Sequence, residues 1–87
     1  MMITVTRIGG DGSIFARTVD TADRHDPGRW TRLAEHAAIH MPPRYLPQPG
    51  EDIYRIQAGG LAADVAEREL QGPLRELAIA VLTEGDS

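Results

Sequence analysis

Few side chains in this sequence have the types and spacing needed for catalysis or metal binding. The first candidates are two histidines four residues apart. His36 and His40 would lie on one face of a helix, where two imidazoles can share a metal ion. A zinc protease also needs a Glu directly after the first His, but Ala37 follows it here, and no third ligand has a suitable spacing. The sequence therefore predicts partly exposed structural histidines and no metal held by the chain itself.

The segment GGDGS at residues 9–13 is the second candidate, because Asp11 sits among three glycines. A phosphate-binding loop leads into a helix and usually supplies a Lys, whereas this segment precedes a β-branched stretch in a chain without any Lys. We interpret it as a hairpin turn. Ser13 could be combined with His25 or His36, but no nucleophile elbow occurs, and a chain this short leaves little room for an enclosed pocket. We expect no catalytic site and no cofactor.

Alternating apolar and polar residues predict the strands that must position these groups, at residues 2–8, 14–20, 52–58 and 61–67. The Gly9–Ser13 turn joins the first two strands, and Gly59 and Gly60 join the last two. Two antiparallel hairpins follow from this pattern. In the second strand we expect Phe15 and Val19 to face the core.

Two segments have a helical period instead. Asp26 followed by Pro27 predicts the start of the first helix, which ends before Pro42. Its apolar stripe consists of Trp30, Leu33, Ala34, Ala37 and Met41. Gly72 and Pro73 open the second helix, with the stripe Leu74, Leu77, Ala78, Val81 and Leu82. The predicted fold is one α+β domain over residues 1–87 with the order ββαββα: two hairpins form a four-stranded sheet packed against two helices, and residues 83–87 fray.

Composition narrows the possible partners and location. The net charge is −4 and the nine basic residues, all Arg, are scattered, so no basic surface for nucleic acid is expected. Without Cys there is no disulfide, thiol nucleophile or thiolate metal site. No leader peptide and no apolar run of about 20 residues is recognisable. We expect a cytoplasmic protein, monomeric and independent of membranes, that works by binding another macromolecule.

The proline-rich segment from Pro42 to Gly50 is a candidate binding surface, because Tyr45 and Leu46 stand among its prolines. Apolar groups on a stiff segment lose little entropy on binding. The alternative interpretation is that both side chains fold back over one edge of the sheet.

Four motifs in order resemble the emfourin-like family of small protein inhibitors of thermolysin-like metallopeptidases. They are the MITVTRIGG start, the MPPRYLP segment after a helix, the EDIYRI strand and the PLREL opening of the last helix. The resemblance covers nearly the whole chain and implies inhibition of a zinc metallopeptidase whose zinc belongs to the target. Members often have an apolar residue after the paired glycines, where this chain has Asp11.

Two segments could meet such a protease without disturbing the core. The first is the turn, with the candidate contact residues Gly9, Gly10, Asp11, Gly12 and Ser13. The second is the proline segment, through Tyr45 and Leu46. The alternative function is a protein-interaction domain unrelated to proteolysis, which would bind through the proline segment or an exposed sheet edge.

Overall fold

The computed structural model describes residues 1–39 and 49–86 and has the predicted α+β fold in the predicted order. The strands and helices are β1 (Met2–Ile8), β2 (Ile14–Asp20), α1 (Pro27–Ile39), β3 (Ile53–Ala58), β4 (Leu61–Ala66) and α2 (Gly72–Glu84). Two short 3₁₀ helices that the sequence did not predict follow β2 and β4, at Thr21–Asp23 and Glu67–Glu69. Neither α-helix among the described residues is long and apolar enough to cross a membrane.

The four strands form one antiparallel sheet in the order β2-β1-β3-β4. The two hairpins are therefore joined side by side through β1 and β3. Ile3 of β1 lies opposite Val19 of β2 and Ala58 of β3, and all three side chains are buried. Because neighbouring residues in a strand point to opposite faces, this register gives the sheet one face toward the helices and one open face.

Both helices pack their apolar stripes on the buried face of the sheet. The predicted stripe of α1 is buried at Trp30, Leu33, Ala34 and Ala37, and Met41 lies outside the described residues. In α2, Leu74, Leu77, Ala78 and Val81 are buried and Leu82 is partly buried. Trp30 is only 1% exposed, and the guanidinium groups of Arg29 and Arg24 lie 5.0 and 5.9 Å from its ring centroid.

Phe15 is the residue for which the predicted burial is wrong. It lies on the helix-facing side of β2, opposite Arg7, but its side chain is 43% exposed. Arg7 beside it is also exposed, so the helices do not cover this end of the sheet. The Arg17 guanidinium instead covers the Phe15 ring, 3.9 Å from its centroid.

Residues 83–86, for which the sequence predicted fraying, are hydrogen-bonded. The helix α2 runs to Glu84, and the N–H of Gly85 donates to the carbonyl of Val81 at 2.8 Å. Asp86 then exchanges two backbone hydrogen bonds with Thr18 of β2, each 2.8 Å long. The end of the described chain is therefore bound to the outer edge of β2.

Candidate partner-binding turn

The Gly9–Ser13 segment closes the β1–β2 hairpin, as predicted. The Gly9 N–H donates to the Ser13 carbonyl at 2.8 Å, and the Gly12 N–H donates to the Gly9 carbonyl at 3.0 Å. Gly12 has a φ of +90°, a conformation that residues with a side chain rarely adopt. Residues 10–13 are exposed, so the turn presents its backbone to solvent in a fixed shape.

Asp11 folds its side chain back onto the turn. Its Oδ1 accepts a hydrogen bond from the Ser13 N–H at 2.9 Å. Hydrogen bonds from the Ser13 side chain and backbone hold the pKa of Asp11 below its usual value. The carboxylate is therefore ionised at neutral pH while remaining at the surface.

Asp52, for which the sequence predicted no role, connects the turn to the sheet. Its Oδ1 accepts a hydrogen bond from the Gly10 N–H at 3.0 Å. Its Oδ2 accepts two from Arg7, from Nη2 at 2.6 Å and from Nε at 2.9 Å. The Arg7 guanidinium, followed by the Gly10 N–H, holds the pKa of Asp52 below its usual range. Arg7 and Asp52 are 45 residues apart, so only the pairing of β1 with β3 brings them together.

Steric contacts inside the fold explain one of the turn glycines, Gly10. A Cβ on Gly10 would lie 2.5 Å from the carbonyl carbon of Gly50 and closer still to its oxygen. A Cβ on Gly9 would meet at close range only the side-chain ends of Ser13 and Asp11, which can move away. The turn thus packs directly on the backbone of the segment that leads into β3. Gly10 is therefore needed for the packing of the turn itself, whatever it contributes to binding.

A shallow depression of about 340 Å³ lies beside the turn. Its lining consists of Arg7, Gly9, Gly10, Asp11, Ser13, Phe15, Gly50 and Asp52. The depression therefore combines two ionised carboxylates, a guanidinium group and an aromatic ring. Such a mixture of polar, charged and aromatic groups suits contact with the surface of another protein. The part of the chain that the structure describes contains no group of three side chains able to hold a metal ion.

The structure brings only some of the predicted site residues together at the depression. Four of the five turn residues line the depression, and Gly12 lies at the tip with open space around it. Tyr45, Leu46 and His40 lie outside the described residues. Ser13 precedes β2 and His25 lies beyond the far end of β2. A strand of seven residues spans about 23 Å, so β2 holds its two ends apart and does not place these residues as a nucleophilic pair.

No protein-family model matches this sequence, and searches of curated proteins and of solved structures found no match to it. The fold and the geometry of the turn are thus the observations that bear on function.

Proposed function

We propose that this protein is an inhibitor or close binding partner of a thermolysin-like zinc metallopeptidase, and that its Gly9–Ser13 turn enters the active-site cleft of that enzyme. The sequence pattern resembles the emfourin-like family. The observation that carries the proposal is an exposed turn whose backbone shape is already set by hydrogen bonds within the protein.

A turn that is ordered before binding loses less conformational entropy when it enters a cleft. Asp11 adds an ionised carboxylate close to the tip. A negative charge is attracted to a catalytic Zn²⁺. The fixed shape of the turn and the charge of Asp11 therefore both suit binding in the active-site cleft of a zinc metallopeptidase. Tyr45 and Leu46 remain a prediction as a second contact.

The ionisation of the two acids in the depression argues against one catalytic role for them, that of a general acid at neutral pH. A general acid at neutral pH needs a raised pKa, so that it still carries its proton. The pKa values of Asp11 and Asp52 are both shifted downward by hydrogen bonds. Neither side chain is therefore suited to donate a proton near pH 7.

An inhibition titration against a thermolysin-like peptidase tests the proposal. In Asp11→Asn the amide oxygen can still accept the Ser13 N–H hydrogen bond, so the substitution removes charge while retaining the turn. We expect its inhibition constant to rise about 10-fold or more. Asp23→Asn is the control, because it removes the same charge beyond the opposite end of β2. Equal inhibition constants for Asp11→Asn and wild type would reject the turn as the site.

A second candidate function is supported by the difference between the two edges of the sheet. The outer edge of β2 is occupied, since Asp86 pairs with Thr18 and the Arg17 Nη1 donates to the Ala16 carbonyl at 2.7 Å. Among the described residues, β4 pairs only with β3. Its outer edge could accept an extended segment of an unrelated protein. Binding there would not depend on Asp11, so the same variant separates the two functions.

A further inference from the structure

The hydrogen bonds of Asp52 point to a role for a residue that lies outside the turn. We infer that Asp52 is a positioning residue, which holds the Gly9–Ser13 turn in the shape that a partner protein meets. This inference rests on the proposed function, because it concerns the same binding turn.

A single carboxylate makes both connections that this role needs. One oxygen accepts the Gly10 N–H and the other accepts the Arg7 side chain. Gly10 belongs to the turn and Arg7 to β1, which lies in the interior of the sheet between β2 and β3. The turn is therefore connected through Asp52 to a strand that is paired on both sides.

Asp52 is itself held in place. Its backbone carbonyl accepts the Glu67 N–H at 3.0 Å, which fixes the residue against the end of β4. Its side chain is 18% exposed, whereas that of Arg7 is 51% exposed. Two residues before Asp52, the Gly50 backbone lies against Gly10. A fixed and largely enclosed acceptor restrains the turn more than a solvated one would.

Loss of this restraint should weaken binding by making the turn less ordered before it meets the partner. A loosened turn samples several backbone conformations, and each residue that must be re-ordered on binding has an entropic cost. The inhibition constant should therefore rise together with the mobility of the turn. Such an effect separates a positioning residue from a contact residue.

The test compares Asp52→Asn with Asp64→Asn. An amide at position 52 has one oxygen, so it cannot accept from Gly10 and from Arg7 on separate oxygens as the carboxylate does. Asp64→Asn is the matched control, since Asp64 also binds an arginine on the neighbouring strand. Arg55 Nε and Nη2 lie 2.9 and 3.3 Å from the two Asp64 oxygens, and this pair is away from the turn on the open face of the sheet.

Two measurements on the 87-residue chain test the inference: the NMR backbone order parameters of residues 9–13 and the inhibition constant against a thermolysin-like peptidase. In Asp52→Asn we expect the order parameters to fall from about 0.85 to below about 0.6. We expect the inhibition constant to rise about 10-fold. Both quantities should stay at wild-type values in Asp64→Asn.

Unchanged order parameters in Asp52→Asn would overturn the inference, as would a loosened turn with unchanged inhibition. If Asp52→Asn does not fold, Arg7→Met removes the link to β1 and is judged by the same two measurements. A wild-type protein that inhibits no such peptidase would reject the proposed function instead. The order parameters would then still decide whether Asp52 holds the turn.

Discussion

Alanine at position 10 tests whether the turn packs on the segment before β3. The added Cβ would lie 2.5 Å from the Gly50 carbonyl carbon and 2.9 Å from its Cα. Both are backbone atoms, so no side chain can rotate away to make room. Forcing an extra methyl group into a packed region costs about 1–3 kcal/mol. Alanine also lowers the conformational entropy of the unfolded chain relative to glycine, which stabilises the folded state by about 0.4–1 kcal/mol.

The expected net loss is therefore about 0–2.6 kcal/mol for Gly10→Ala, out of roughly 4–13 kcal/mol for a domain of this size. Gly60→Ala is the control, because a Cβ on Gly60 meets no atom within 4 Å and its φ is not positive. That substitution should leave stability unchanged or raise it by up to about 1 kcal/mol.

Urea denaturation of both variants measures the difference, which should appear as a lower midpoint for Gly10→Ala at an unchanged slope. If the two variants unfold at the same urea concentration, the turn does not rest on Gly50. The contact between these two backbone segments, and with it part of the argument for a pre-ordered turn, would then be wrong.

Two further predictions concern the core and the acids. Trp30 is 1% exposed, so Trp30→Ala should cost about 3–5 kcal/mol; an unchanged thermal unfolding midpoint would show that the indole does not support the core. The folded-state pKa values of Asp11 and Asp52 lie below those of the unfolded chain. The stability that these two carboxylates add to the folded protein is therefore present above about pH 4 and is lost as the pH falls through the folded-state pKa values. Asp52→Asn should flatten this acid decline in the free energy of unfolding, and a decline as steep as in wild type would contradict the assignment.

The elements of this protein could be predicted from the sequence because their signals are local. The period of apolar residues distinguishes strand from helix within a few positions, and glycine pairs mark the turns. The hairpin turn Gly9–Ser13, the start of α1 at Pro27 and the start of α2 at Gly72 all follow from such short patterns. The same local pattern identified Asp11 as a candidate residue.

The tertiary structure decided what depends on pairing between distant segments. The position of β1 beside β3 brings Arg7 to Asp52, and no local pattern encodes a contact across 45 residues. Alternation placed Phe15 on the correct face of its strand but could not show that the helices stop short of it. Asp86 lies in the segment 83–87 that was predicted to fray, but it pairs with Thr18 at the edge of β2. Periodicity determines which way a side chain points, whereas strand order and the reach of the helices determine what it meets.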